Sequence, residues 1–221
     1  MLFDNTIAVV VPAYNEETQI EHVIKTMPEF VDRIIIVNDC SKDNTVSVVK
    51  DYIYKDNKDY SNDRIGKKRI TKGRFNEAEL VLQKNDEDEI KRFTPFSIVN
   101  TTPENNRIIL INHLQNGGVG AAIATGYKWC KDNNINCTAV MAGDGQMDPD
   151  ELESICLPVV NENVDYVKGN RLIHRSARLV IPKQRFLGNS ILPILTKFAS
   201  GYWRVSDTQT GYTAISLNAL K

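Results

Sequence analysis

Thr6-Ile-Ala-Val-Val-Val-Pro12, running into Ala13-Tyr-Asn-Glu-Glu17, and then Arg33-Ile-Ile-Ile-Val-Asn38 ahead of Asp39 are the stretches on which the fold turns. Both apolar runs are short, rich in β-branched residues and free of polar alternation. Strands buried on both faces of a parallel sheet read this way. Between them, Gln19 to Met27 has an acidic lead-in and the length of a first helix. After the second run, Ser41 and Asp43 are placed to cap a helix from about Thr45 to Tyr54. Strand, helix, strand, helix is the rhythm of a doubly wound α/β fold with a mostly parallel sheet flanked by helices.

Working outward, the rhythm stops over residues 55–106, which are dense in Lys, Asp, Glu and Asn and lack a clear period. A loop of that length inside a compact domain reads as a charged insertion, with one helix expected near Asn76–Lys84. The rhythm then resumes. Arg107-Ile-Ile-Leu-Ile-Asn112 reads as a strand, Gly120 to Lys131 as a helix, Thr138-Ala-Val-Met-Ala142 as a strand and Pro149 to Val160 as a helix. Asp165-Tyr-Val-Lys-Gly169 and Tyr212-Thr-Ala-Ile-Ser216 are further strands, and Arg185 to about Ser200 is helical with an interruption at Pro193. The expected organisation is a single domain over all 221 residues, cut short at its C-terminus.

Composition narrows the function. A formal net charge of −1 excludes a general polyanion binder, so no nucleic-acid partner is expected. Cys40, Cys130, Cys137 and Cys156 have no CxxC spacing and read as free thiols of a reducing compartment. The N-terminus lacks a secretory pattern, and no window approaches the roughly 20 apolar residues of a spanning helix, so a cytoplasmic location is expected.

In open parallel sheets, ligands bind beyond the carboxyl ends of the strands. Pro12-Ala-Tyr-Asn-Glu-Glu17, Asn38-Asp-Cys-Ser-Lys-Asp43, Asn116-Gly-Gly-Val-Gly-Ala121 and Gly143-Asp-Gly-Gln146 all fall at such ends. Four polar clusters converging on one edge make a pocket.

Together with Met141-Ala-Gly-Asp-Gly-Gln-Met-Asp-Pro149, Gly169-Asn-Arg171 and Asp207-Thr-Gln-Thr-Gly-Tyr212, these motifs resemble in content and order the family-two inverting glycosyltransferases. The branch they resemble is that of the dolichyl- and polyprenyl-phosphate sugar transferases. The resemblance implies a GT-A fold and a nucleotide-sugar donor, with a UDP-sugar favoured over a GDP-sugar. It implies Pro12 and Tyr14 lining base and ribose, Glu16 and Asp39 accepting hydrogen bonds from ribose or base edge, and Gly118 permitting close backbone approach. Ala142, Gly143 and Gln146 line the donor, Arg171 and Arg185 contact donor or acceptor phosphate, and Asp207 is the base or acceptor-positioning carboxylate.

The family supplies an Asp-x-Asp pair for Mg²⁺ or Mn²⁺, hard cations that suit oxygen ligands. Here Ala142-Gly143-Asp144 retains only the second carboxylate, so Asp144 is the implied metal ligand.

The acceptor side is marked by charge. From Lys168 to Arg204 there are eight Lys or Arg and no Asp or Glu. That balance suits phosphates or an anionic membrane surface. A phosphate monoester is largely ionised already, with a second pKa near 6, whereas a sugar hydroxyl needs a general base. A lone Asp207 therefore favours a polyprenyl-phosphate acceptor at the cytoplasmic membrane face. Transfer to a sugar hydroxyl of a surface glycan, or a non-catalytic nucleotide-sugar-binding module, are the alternatives. A sugar-1-phosphate nucleotidyltransferase would open with a basic Gly-rich loop, and the acidic, Gly-free Pro12–Glu17 counts strongly against it.

Overall fold

The computed structural model describes residues 1–55, 77–170, 196–199, 201 and 210–221. Its centre is four parallel strands: β1 (Ile7–Ala13), β2 (Arg33–Asn38), β4 (Ile108–His113) and β5 (Cys137–Val140). The remaining strands are β3 (Phe96–Ile98), β6 (Tyr166–Lys168) and β7 (Thr213–Ser216). Among the described residues these make one seven-stranded sheet in the order β3-β4-β2-β1-β5-β7-β6. β3 runs antiparallel to β4, and β7 runs antiparallel to both β5 and β6. The sheet is thus parallel at its core and mixed at both flanks.

The strands are apolar throughout because both faces are covered. Ile7, Val9 and Val11 of β1 and Ile34 and Ile36 of β2 share one buried cluster with Ile20 and Val23 of α1 (Ile20–Thr26), Val49 of α2 (Thr45–Lys55) and Leu152 and Ile155 of α5 (Leu152–Asn161). Ala8, Val10, Ile35, Val37, Ile109 and Ile111 point the other way, against Ala122 and Trp129 of α4 (Val119–Asp132). Each fully buried Val or Ile contributes about 1.5–3 kcal/mol. Pro12 is tolerated near the sheet centre because it lies beyond Val10, the last β1 residue paired with β5. Its carbonyl accepts the Gly143 N–H at 3.2 Å, which pins the loop after β5 to β1.

The charged stretch is more structured than its composition implies. Its helix α3 spans Glu77–Ile90, extending beyond the helix expected near Asn76–Lys84, and β3 follows as an edge strand not anticipated from sequence. Charge rather than an apolar stripe docks α3, which is why its extent is hard to read. Glu89 reaches Lys131 at 2.7 Å and Lys128 at 3.2 Å, and the buried Lys128 also meets Asp132 at 2.7 Å. Residues 171–195, where most of the helix expected at Arg185–Ser200 falls, lie outside the described residues, while 196–199 are helical. The chain ends in a single turn, α6 (Leu217–Leu220).

Gly126 shows how tightly α4 is seated. A Cβ there would overlap Val10 Cγ1 and lie 2.8 Å from Cγ2, so the helix accepts an unfavourable residue in exchange for close approach to β1. Gly126→Ala should therefore lower unfolding stability by about 1–3 kcal/mol, measured by urea denaturation. Gly120→Ala, whose added methyl meets nothing within 4 Å, should be neutral or stabilising.

Candidate active site

The first two loops at the carboxyl edge are laced together by reciprocal hydrogen bonds. The Asn15 N–H donates to Ser41 Oγ (2.9 Å), and the Lys42 N–H donates back to Asn15 Oδ1 (2.8 Å). The Glu17 N–H donates to Asp43 Oδ2 (3.0 Å), and the Asn44 N–H donates to Glu17 Oε2 (2.9 Å). Glu16 N–H donates to Thr45 Oγ1 at 2.9 Å. The sequence gives Ser41 and Asp43 the same capping role, but the structure divides them. Asp43 Oδ1 caps α2 through the Thr45 N–H at 3.0 Å, while Ser41 serves the neighbouring loop. Burial would raise the Asp43 carboxyl, yet the donors from Thr45 and Glu17 outweigh it and hold it below the usual range. The lacing leaves Tyr14 uncovered, 44% exposed beside half-buried Pro12, as a free aromatic face.

Asp39, at the end of β2, is only 3% exposed. Its Oδ1 accepts the Gly117 N–H at 2.8 Å and its Oδ2 the Gly118 N–H at 2.7 Å. His113, the last residue of β4, brings Nδ1 to 2.7 Å from Oδ1. Because a carboxylate only accepts, that ring nitrogen carries a proton. His113 Nε2 lies 2.9 Å from Thr125 Oγ1 on α4. Burial pushes the Asp39 carboxyl up, but the two glycine N–H groups and the His113 ring outweigh it, and the group stays below the ordinary value. Asp39 thus bears on the carboxyl edge of the sheet through the turn it holds. Gly118 has φ +82°, a conformation that favours glycine, and precedes the first turn of α4. Thr94, from the segment leading into β3, covers Gly117 closely enough that a Cβ there would overlap its Oγ1.

The third wall is the loop after β5. Gly143 lies so close to β1 that a Cβ would be 3.0 Å from the Pro12 carbonyl oxygen. Ala142 donates its N–H to Met147 Sδ at 3.3 Å, and Gln146 N–H donates to Asp144 Oδ1 at 3.1 Å. Asp144 is half-buried. Partial burial first, and then the charges of Asp144 and Asp43, raise the carboxyl of Glu16, so the loops after β1 and β5 bring like charges together. Tyr212 closes this wall by donating its hydroxyl to the Asp148 carbonyl at 2.8 Å.

Pro12, Tyr14, Glu16, Asp39, Gly118, Ala142, Gly143, Asp144 and Gln146 therefore all lie on loops or strand ends at one edge. Arg171, Arg185 and Asp207 lie outside the described residues. On either side of them, Lys168 pairs with Thr213, which in turn pairs with Val140 near the end of β5, so the chain leaves and returns at that same edge. His113, Thr125 and Thr94 were not anticipated from sequence. The one available signal was a polar residue closing an otherwise apolar strand just ahead of the glycines. Among the described residues no group of three His, Cys, Asp or Glu is arranged to hold a metal ion.

The family model described as "Glycosyl transferase family 2" matches residues 8–70 and 85–221. The chain is 30% identical over 219 residues to the UDP-N-acetylglucosamine–dolichyl-phosphate N-acetylglucosaminyltransferase of Methanococcus voltae, covering 99% of this chain and 72% of that protein. It is 25% identical over 230 residues to a dolichyl-phosphate beta-glucosyltransferase of Trichomonas vaginalis, covering 96% of this chain but 52% of that one. Among solved structures, glucosyl-3-phosphoglycerate synthase from Mycobacterium tuberculosis, in complex with Mn²⁺, UDP and phosphoglyceric acid, is similar with a TM-score of 0.54 at 16% identity. That match covers 97% of this chain and 57% of the solved chain. The likeness is one of fold, and the fold is the GT-A type.

Asp43 supplies a test of the loop lacing. A carboxylate held below its unfolded value stabilises fully above the ordinary aspartate pKa of about 3.9. That contribution is lost as pH falls through the lower folded value. Asp43→Ala should cost about 0.5–2 kcal/mol at neutral pH, as for a lost helix cap. The gap from wild type, followed by urea midpoints, should narrow as pH drops below about 4.

Proposed function

The chain belongs to glycosyl transferase family 2, and from that membership we propose that it is an inverting glycosyltransferase moving a sugar from a nucleotide-sugar donor, a UDP-sugar in preference to a GDP-sugar, to a polyprenyl phosphate. The observation that carries the reading is the convergence of Tyr14, Glu16, the Gly117–Gly118 turn and Asp144 on one edge of the sheet. The names of the two curated relatives, both dolichyl-phosphate sugar transferases, support the acceptor, and the first supports the UDP donor.

In this reading the base stacks on the uncovered face of Tyr14 beside Pro12, and Glu16 accepts a ribose hydroxyl. The turn held by Asp39 lets the donor approach the backbone. An oxygen of the acceptor phosphate attacks the anomeric carbon opposite the leaving group. The bond to the nucleoside diphosphate breaks with its electron pair passing to the β-phosphate, and the configuration inverts. Already ionised, a phosphate monoester needs no protein base; Asp207 and Arg171 would orient it.

The residues present fit a divalent cation. Asp144 offers a hard oxygen donor at the edge, and after burial its charge, with that of Asp43, helps raise the Glu16 carboxyl, so acidic groups gather there. Mg²⁺ is commonly held by one or two carboxylates plus substrate phosphates, so a single Asp beside Ala142 suffices. When bound, Mg²⁺ or Mn²⁺ would stabilise the charge developing on the departing diphosphate. Several structures of the Mycobacterium tuberculosis synthase contain Mn²⁺ with UDP or UDP-glucose, which supports this cofactor. No described helix is long and apolar enough to cross a membrane; a polyprenyl acceptor would bring the protein to the cytoplasmic face of a membrane through its substrate.

Calorimetry of UDP and GDP, with and without Mn²⁺, tests the donor site. Metal-dependent UDP binding is expected, weakened at least about tenfold, or roughly 1.4 kcal/mol, by Asp144→Ala. Binding of neither nucleotide by folded protein would overturn the donor assignment. Sugar transfer from the matched donor to a short polyprenyl phosphate, and not to a glycan hydroxyl, is the expected acceptor result.

A further inference from the structure

We infer that His113 is a positioning residue for the donor site, acting through Asp39 on the Gly117–Gly118 turn; the functional part of this inference rests on the donor-site reading above. The His113 side chain is fully buried and ties β4 both to Asp39 at the end of β2 and to Thr125 on α4. Its Nδ1–H donates to Asp39 Oδ1 at 2.7 Å, the same oxygen that accepts the Gly117 N–H. Its Nε2 rests on Thr125 Oγ1, itself 1% exposed and 3.0 Å from the Ala121 carbonyl. The ring is therefore fixed from the α4 side and in turn fixes the rotation of the Asp39 carboxylate.

That rotation matters because two successive backbone N–H groups, those of Gly117 and Gly118, turn inward to it. If Asp39 swings away, exposed Gly117 and half-buried Gly118 both lose a carboxylate acceptor, at the cost of two charge-assisted hydrogen bonds. The turn escapes that cost by opening, since Gly118 at φ +82° has wide backbone freedom. An open turn displaces the start of α4 and the wall that the donor packs against. Charge-assisted hydrogen bonds such as Nδ1–H to a carboxylate are the strong members of their class, so losing this one is the change that matters most.

Two variants separate positioning from packing. His113→Leu fills the space without a donor, whereas His113→Asn places an amide N–H near the position of Nδ1. Amide hydrogen exchange over residues 114–122 and UDP affinity with Mn²⁺ are measured at a temperature where every variant is folded. In His113→Leu, exchange at Gly117 and Gly118 should quicken and UDP affinity should fall, each by about tenfold, the scale of one charge-assisted hydrogen bond. His113→Asn should recover both to within about threefold of wild type, on the same scale. Thr125→Val should shift both in the same direction by less. Equal UDP affinity and equal exchange in wild type and His113→Leu would overturn the inference, as would an Asn variant no better than Leu. Wild-type protein that fails to bind UDP would instead overturn the donor-site reading. The exchange measurement would still decide whether His113 holds the turn, and faster exchange without loss of affinity would reduce its role to stability.

Discussion

A carboxylate taken out of water has to find donors or surrender its charge. Asp39, 3% exposed at the end of the second strand, finds three: the N–H groups of Gly117 and Gly118 and the ring of His113. That constraint joins the carboxyl ends of β2 and β4 to the start of α4, and the rest of the edge is arranged around it. Asn116 adds a side-chain bond to the Asp39 carbonyl at 3.2 Å, so even the residue before the glycines is held by this one position.

The same interaction has an electrostatic consequence. A helix N-terminus attracts anions, and at α4 the protein's own aspartate already sits beside that end. In the proposed donor reading, the diphosphate would therefore draw its countercharge from elsewhere. In that reading Asp144 across the edge would serve as a cation ligand, and the acid-free sequence from Lys168 to Arg204 would supply basic residues. Burial first, and then the charges of Asp144 and Asp43, raise the Glu16 carboxyl at this edge, which in the proposed reading would favour a diphosphate that arrives with a metal.

The charged segment before β4 contributes to the site in a way its composition hides. Its helix is tethered by the Glu89 ion pairs to Lys128 and Lys131 on α4, and the chain then passes Thr94 over Gly117 before adding β3 to the sheet edge. Both contacts bear on α4 or on the turn that begins it. The helix α4 is thereby held by β1 through Gly126, by Asp39 and His113 near its start, and by the charged segment on its flank.

Much of this was legible in the sequence. Residues such as Ile34 to Val37 and Ile108 to Ile111 are apolar without alternation because a parallel strand is buried on both faces, and that local pattern alone fixes the α/β class and places the polar loops at the strand ends. The clusters at Pro12–Glu17, Asn116–Ala121 and Gly143–Gln146 were likewise visible as candidates for one pocket. The helix α3 was legible only in part, because ion pairs with Lys128 and Lys131 on the distant α4 leave no apolar period to read. Which way Asp39 faces, what His113 and Thr125 do, and why Ser41 leaves its own helix to serve Asn15 were decided only by tertiary structure. The physical reason is that burial and hydrogen-bond partnership depend on atoms far away in the chain: 74 positions separate Asp39 from His113 and 26 separate Asn15 from Ser41. The sequence by itself determined the residue types and their order along the edge; the folded chain alone decided which of them would spend their hydrogen bonds on one another.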